Sequence, residues 1–164
     1  MRVGSETAGA VGLTWTSGGP EQAPAAARLA GQAFDPFYRE AWSQSQIAAM
    51  AGDPGGWLEM ALDEQGGAVA FSLNRQVLED VELLLIATDP SLRRRGISRQ
   101  LIGRVCDTAI RRGATRVFLE VRESNIAALG LYQACGFLRC GVRKAYYRTV
   151  SGEALNAITL QRHL

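Results

Sequence analysis

A chain of 164 residues, of which 47% are hydrophobic and 21% charged, has the size of one domain with a buried core and is too apolar for a disordered tail. Its net charge of +2 gives no reason to expect binding to nucleic acid or to an anionic membrane. The single histidine, His163, argues against a Ser-His-Asp triad and against a histidine-rich metal site, so no metal is expected.

The first 20 residues are rich in Gly, Ser and Thr. We therefore expect residues 1–20 to be a flexible N-terminus with a possible edge strand at 11–15, and residues 21–164 to form the domain. No secretory signal is expected, because no apolar stretch follows the first residues. The three cysteines have neither metal-site nor disulfide-framework spacing, which predicts reduced thiols in a cytoplasmic protein.

Hydrophobic periodicity and turn residues divide the domain into short elements. In chain order they are a helix at 21–34, a helix capped by Ser43 and reaching residue 50, strands at 57–63 and 68–78 joined by a hairpin turn, a strand at 80–88, a helix at 97–112, a strand at 115–121, a helix capped by Ser124 and ending at 135, and strands at 138–148 and 155–160. This order predicts an α+β fold built on a sheet.

The strand at 83–88 leads through the loop at 89–95 into a helix that opens on Gly96. The first turn of a helix exposes unpaired backbone N–H groups and the positive end of the helix dipole, which together suit a pyrophosphate. A glycine there lets phosphate oxygens approach the backbone. Since the spacing is neither that of a Walker loop nor a complete dinucleotide motif, these residues alone leave open a phosphate loop or an arginine-rich turn in solvent.

Four segments together resemble the GNAT acetyltransferase superfamily. Residues 93–98 (RRRGIS) are similar to its acyl-CoA loop, and residues 119–125 (LEVRESN), 127–128 (AA) and 131–137 (LYQACGF) are similar to the RimI branch. That branch comprises bacterial N-terminal acetyltransferases, whose namesake acetylates a ribosomal protein on its terminal alanine. The resemblance covers residues 26–160 and implies a single GNAT-like domain with a mixed, mostly antiparallel central sheet flanked by helices.

The resemblance also implies roles for individual residues. Glu120 is expected to be the general base and Tyr132 the general acid, with Glu82 as the alternative base because another branch of the superfamily has its glutamate on the preceding strand. The expected cofactor contacts are the backbone of Ile86, Ala87 and Thr88 with the pantetheine arm of acetyl-CoA, Arg94, Arg95, Gly96, Ile97, Ser98 and Arg99 with its pyrophosphate, and Asn125 with the arm.

Each assignment has a plainer alternative that the sequence leaves open. Glu120 can be a solvent-facing carboxylate, Tyr132 a core aromatic residue, and Asn125 the start of a helix without a ligand. Two positions also depart from the family pattern. Ser98 stands where the loop has Gly or Ala, and residues 155–157 (LNA) stand where the branch carries an acidic residue just before its last strand.

The acceptor amine must be neutral before it can attack a thioester. A terminal amine has a pKa of about 7.7–8.0 and a lysine about 10.4, so at pH 7 about a tenth of the former is neutral, against well under a thousandth of the latter. An enzyme for chain termini therefore needs only modest help from its base. Tyr146 and Tyr147 are candidates for lining the peptide cleft, although strand alternation requires only one of them to do so.

We therefore expect a cytoplasmic, acetyl-CoA-dependent N-acetyltransferase that acts on the α-amino group of a protein N-terminus, with a ribosomal protein ending in alanine as the acceptor that the resemblance suggests. Transfer is expected by direct attack, without a covalent enzyme intermediate. The alternatives are a small-amine or lysine acetyltransferase and a non-catalytic acyl-CoA-binding module. Neither a membrane nor a nucleic acid is expected as a partner.

Overall fold

The computed structural model describes residues 12–164. The helices are α1 (Ala23–Ala33), α2 (Gln44–Gly52), α3 (Ile97–Arg111) and α4 (Ile126–Ala134), and the strands are β1 (Thr14–Gly18), β2 (Gly56–Leu62), β3 (Ala68–Val77), β4 (Asp80–Thr88), β5 (Arg116–Arg122), β6 (Leu138–Arg148) and β7 (Ala154–His163). Residues 1–11 of the predicted flexible terminus lie outside this range. No helix within the range is long and apolar enough to cross a bilayer.

The seven described strands form one sheet in the order β1-β2-β3-β4-β5-β7-β6. Only β4 and β5 run parallel, and α3 supplies the long crossover that a parallel pair requires. The other neighbours are antiparallel. The predicted α+β fold with a mixed, mostly antiparallel sheet is therefore confirmed. The edge strand begins at Thr14, and residue 11 of the predicted strand lies outside the described residues.

Helices cover the two faces of the sheet because its strands are apolar on both sides. Helices α1 and α2 pack on β2, β3 and the second half of β4, and α3 and α4 pack on the other face of β4 and β5. In β5, Val117, Leu119 and Val121 are buried under α3 and α4, whereas Phe118 and Glu120 point to the opposite face. This alternation places Glu120 on the face of the sheet away from α3 and α4.

A β-bulge in the central strand changes the direction of its side chains. Leu73 of β3 pairs with Leu85, but the next residue, Asn74, pairs with Leu83, so Leu84 is an extra residue in β4. Leu83 therefore packs toward α3 and α4, and Leu85 packs toward α1 and α2. The pairing of β4 with β5 ends just before this bulge, at Glu82 and Phe118. Beyond that point the two parallel strands are no longer paired in the sheet.

Candidate active site

A cleft of about 580 Å³ opens where β4 and β5 part. Its volume is typical of a site for a small molecule or cofactor. The predicted site residues that line it are Glu82, Ile86, Ala87, Thr88, Ser98, Glu120, Asn125 and Tyr132. The other predicted residues, Arg94, Arg95, Gly96 and Ile97, belong to the adjoining loop and first turn of α3, while Arg99 lines a smaller groove beside Cys135 and Arg162.

The second half of β4 offers backbone groups to this cleft. One edge of residues 83–88 pairs with β3, and within the described residues the other edge has no strand partner because β5 has already separated. Ile86, Ala87 and Thr88 all line the cleft. An extended, amide-containing ligand can hydrogen-bond to such an edge as an added strand would. The edge has the form that a pantetheine arm requires, and the contact itself stays a prediction.

The loop before α3 has the backbone geometry expected of an anion site. Gly96 is the N-cap of α3 at φ +76°, and Arg94 also has a positive φ of 63°. A Cβ added at Gly96 would meet no protein atom within 4 Å, so the protein itself leaves space there. Arg93 donates from its guanidinium to the carbonyl of Ala33, 2.8 Å away, which ties the loop to the end of α1.

Gly96→Ala is expected to weaken coenzyme A binding about 10-fold, measured by calorimetry. The left-handed backbone costs an L-residue about 1–2 kcal/mol, and the methyl group would occupy the space next to the exposed N–H groups. Gly103→Ala is the matched control, because Gly103 lies inside the same helix and an added Cβ also meets nothing within 4 Å. Equal affinities in Gly96→Ala and wild type would show that this loop does not hold the phosphates.

Ser98 replaces the smaller residue of the family loop without leaving its hydroxyl unpaired. Its Oγ lies 2.9 Å from the Oγ1 of Thr88, the last residue of β4. Both residues line the cleft. The hydrogen bond ties the first turn of α3 to the end of the unpaired edge, so the serine links the two stretches that were predicted to hold the cofactor.

Two carboxylates, Glu82 and Glu120, lie on the same face of the sheet at the cleft. The Nη1 of Arg143 lies 2.9 Å from Oε1 and 3.1 Å from Oε2 of Glu120, whose side chain is only 14% exposed. Burial, followed by repulsion from the Glu120 carboxylate, raises the pKa of Glu82. Arg143 therefore holds the Glu120 side chain in place, and Glu82 is a neighbouring carboxyl group that binds its proton more tightly than usual.

Tyr132 approaches the cleft from the other face of the sheet. It is 6% exposed and packs edge-on against Phe137, with ring centroids 5.9 Å apart. Burial raises the pKa of its phenol. Within residues 12–164 the hydroxyl has no hydrogen-bond partner, although the side chain lines the cleft. Tyr132 therefore packs in the core and also lines the cleft, and its role as a proton donor stays a prediction.

Asn125 is the N-cap of α4, which corrects the prediction that Ser124 would be. The Oδ1 of Asn125 accepts a hydrogen bond from the Ala128 amide at 3.2 Å, whereas the Ser124 hydroxyl accepts one from Arg122. Asn125 also lines the cleft, and within the described residues its Nδ2 donates no hydrogen bond. The cap and a contact with a cofactor are therefore compatible, since they use different atoms.

One wall of the cleft contains an ion pair that the sequence did not predict. Arg122 is 8% exposed, lies over the Tyr38 ring at 3.4 Å from its centroid, and donates from Nε to Glu40 at 3.1 Å. A further backbone hydrogen bond joins Val150 to Phe37. These contacts bind the segment between α1 and α2 to β5 and to the β6–β7 turn. No local pattern indicated them, because the partners are distant in sequence.

Both Tyr146 and Tyr147 line the cleft, although simple alternation required only one. Their rings meet edge-on with centroids 5.0 Å apart. The Tyr147 hydroxyl lies 3.4 Å from the backbone oxygen of Glu120, and the Arg143 guanidinium lies over the Tyr146 ring at 4.1 Å. The end of β6 therefore surrounds Glu120 with two phenols and one cation.

Comparison with known protein families gives a match over residues 24–137 to a family described as Acetyltransferase (GNAT) family. The [ribosomal protein bS18]-alanine N-acetyltransferase of Escherichia coli K12 is 36% identical over 111 residues, which cover 68% of this chain and 74% of that protein. The N-alpha-acetyltransferase RimI of Mycobacterium tuberculosis is 46% identical over 97 residues, which cover 59% of this chain and 58% of that protein.

Solved structures share the fold. The crystal structure of the ribosomal-protein-S18-alanine N-acetyltransferase from Escherichia coli superposes with a TM-score of 0.82 at 30% identity, over 92% of this chain and 93% of that chain. NAA60 of Arabidopsis thaliana, solved with a bisubstrate analogue, superposes with a TM-score of 0.78 at 16% identity, over 92% of this chain and 97% of that chain. The second likeness shows the fold alone.

Proposed function

This chain belongs to the GNAT acetyltransferase family, and from that premise we propose that it transfers the acetyl group of acetyl-CoA to the α-amino group of a protein N-terminus. The observation that carries the proposal is a single cleft lined by Glu120 from one face of the sheet and by Tyr132 from the other. Similarity to the Escherichia coli enzyme over most of both chains supports an alanine N-terminus of a ribosomal protein as the acceptor class.

The residues present fit acetyl-CoA as the donor. The pyrophosphate would be held by backbone N–H groups at Gly96 and by the arginines beside it, and the arm by the unpaired edge of β4 and the Nδ2 of Asn125. Acetyl-CoA supplies the activated acetyl group as a thioester. Side chains of this chain would then have to provide a neutral amine and a stabilised leaving sulfur.

Glu120 would take the proton from the acceptor ammonium, directly or through one water. Arg143 holds the carboxylate in place by contacts with both oxygens, so its position is set before the acceptor arrives. A terminal amine has a pKa of about 7.7–8.0, so the base needs only modest strength at pH 7. Glu82 remains the alternative base, because it lines the same cleft and its pKa is raised.

Tyr132 would donate a hydrogen bond to the sulfur as charge develops there. The raised pKa of its buried phenol disfavours early, complete proton transfer to a thiolate whose ordinary pKa is about 8.5. A hydrogen bond that strengthens during the reaction does not require that transfer. The cysteines also agree with direct attack, without a covalent enzyme intermediate. Burial raises the pKa of the Cys106 and Cys135 thiols and so disfavours the thiolate form that a nucleophile needs.

Acetyl-CoA incubated with a peptide panel is expected to give acetylation of a free alanine N-terminus, measured by thiol release and by peptide mass. A peptide with the same sequence, a blocked N-terminus and an internal lysine is the control and should stay unmodified. Acetylation of the lysine peptide or of a small amine would replace the proposed acceptor class. Binding of coenzyme A without turnover on any acceptor would instead support an acyl-CoA-binding module.

Two further parts of the proposal rest on the sequence. A cytoplasmic location was predicted from the cysteines, all three of which lack a disulfide partner within the described residues. The acceptor is proposed to be a protein N-terminus rather than a nucleic acid, since the chain carries a net charge of only +2. Both points stay predictions.

A further inference from the structure

Strand β6 contains an irregularity next to the carboxylate of Glu120. Arg143 pairs with Ala157 of β7 and Tyr147 pairs with Leu155, so three residues of β6 face the single residue Asn156. The two extra residues form a special bulge, which is larger than the common bulge with two residues opposite one. Because an even number is inserted, Arg143 and Tyr147 keep pointing to the same face of the sheet, the one that carries Glu120.

The bulge leaves a backbone amide without a ladder partner, and the Asn156 side chain replaces that partner. The Oδ1 of Asn156 accepts a hydrogen bond from the amide of Ala145 at 3.0 Å. Ala145 has a φ of 54°, a left-handed backbone that is unusual for a residue with a Cβ and that needs support from its surroundings. Asn156 supplies that support from the opposite strand.

Asn156 is itself held in place by Glu123, which follows β5. The backbone amide of Asn156 donates to Oε1 of Glu123 at 3.3 Å, and its Nδ2 lies 3.4 Å from Oε2. The Glu123 amide in turn donates to the carbonyl of Asn156 at 3.0 Å. A continuous set of contacts therefore runs from the end of β5 through Asn156 to the bulge.

The bulge determines what surrounds the proposed base. Arg143 precedes it and contacts both oxygens of Glu120, Tyr146 lies inside it beneath the Arg143 guanidinium, and Tyr147 follows it with its hydroxyl near the Glu120 backbone oxygen. In a regular strand Tyr146 would point away from this face. Both tyrosines reach the cleft in the present arrangement.

We propose that Asn156 is a positioning residue for acetyl transfer, which fixes the β6 bulge and thereby places Arg143, Tyr146 and Tyr147 around Glu120. The role rests on the proposed function, since it acts through the proposed base, Glu120, and the β6 residues around it. Asn156 does not line the cleft, so its effect reaches the reaction only through the bulge.

The test compares three variants in steady-state acetylation of the alanine peptide. Asn156→Leu has a similar size but no acceptor for the Ala145 amide, and we expect it to lower kcat/KM for the peptide about 10-fold. The KM for acetyl-CoA should stay within about 2-fold of the wild-type value. The residues proposed to hold acetyl-CoA belong to β4, to the loop and first turn of α3, and to the start of α4, not to the β6 bulge. A general loss of structure would not separate the two substrates in this way.

The second variant keeps the acceptor and exchanges the charges around it. Asn156→Asp combined with Glu123→Gln retains an oxygen for the Ala145 amide and turns residue 123 into a donor, so this double variant should recover activity to within about 3-fold of wild type. Glu123→Gln alone is the background control. Thermal unfolding and coenzyme A calorimetry on each variant report whether it is folded.

The outcomes separate this role from the proposed function. If the wild type is active and Asn156→Leu keeps full kcat/KM for the peptide, or if the double variant is as impaired as Asn156→Leu, the positioning role is wrong and the proposed function stands. A wild type that binds coenzyme A but acetylates no N-terminus overturns the proposed function, and this role with it.

Discussion

Replacing Glu120 by glutamine is expected to lower kcat for the alanine peptide by about 10²–10⁴ at pH 7, the usual contribution of a general base. Glutamine has the same size, and its amide oxygen can still accept a hydrogen bond from Arg143, which lies 2.9 Å from Oε1 in the wild type. The fold and the contact with Arg143 should therefore persist. What is lost is the ability to accept a proton from the ammonium.

The pH dependence sharpens this prediction. The acceptor amine loses its proton over the range around its pKa of about 7.7–8.0. The defect of Glu120→Gln should therefore shrink as the pH rises from about 7 to about 9, because an increasing fraction of the peptide no longer needs the base. A defect that stays constant across this range would point to a role in binding or electrostatics instead.

Glu82→Gln distinguishes the two candidate bases. Both carboxylates line the cleft, so the same substitution at each position is a fair comparison. If Glu82 is the base, the larger loss and its dependence on pH will appear in Glu82→Gln. Glu79→Gln is the matched control. Glu79 is exposed and directly precedes β4, so no change in kcat is expected.

Replacing Tyr132 by phenylalanine is expected to lower kcat by about 10²–10³ while the affinity for coenzyme A changes less than about 3-fold. The ring packs against Phe137 and is 6% exposed, so phenylalanine keeps the packing and removes only the hydroxyl. Single-turnover kinetics with saturating acetyl-CoA measure the loss at the chemical step, and calorimetry measures the affinity.

The same variant has a second signature in its stability. Within residues 12–164 the Tyr132 hydroxyl makes no hydrogen bond, so its removal breaks no hydrogen bond that stabilises the fold. The Tm of Tyr132→Phe should accordingly be equal to or higher than that of the wild type. A variant with unchanged kcat, or one that loses kcat and Tm together, would identify Tyr132 as a structural residue.

The sequence predicted the elements well where a local pattern determines them. The bounds of β4 and β6 agree with the predicted 80–88 and 138–148, and Ser43 begins α2 with a capping box completed by Gln46. Each of these features depends on residues within a few positions of one another.

Features that depend on pairing between distant strands were not predictable in this way. The extra residue Leu84 shows only in the register of β4 against β3, and the bulge in β6 shows only against Asn156. The ion pair of Arg122 with Glu40 joins residues 82 positions apart. Serine and asparagine are both residue types that cap helices. The structure shows that Asn125 caps α4, whereas the Ser124 hydroxyl accepts a hydrogen bond from Arg122.

The extra residue Leu84 in β4 bears on how the cleft forms. Many proteins form a pocket between separate domains or under a mobile loop, whereas here one surplus residue in a central strand coincides with the point where two parallel neighbours part. The cleft at this point is lined from both faces of the sheet, by Glu120 on one face and by Tyr132 on the other. Under the proposed function, an acceptor amine near Glu120 and a thioester sulfur near Tyr132 would face each other across this gap, so one inserted residue would have created the meeting point of the two substrates.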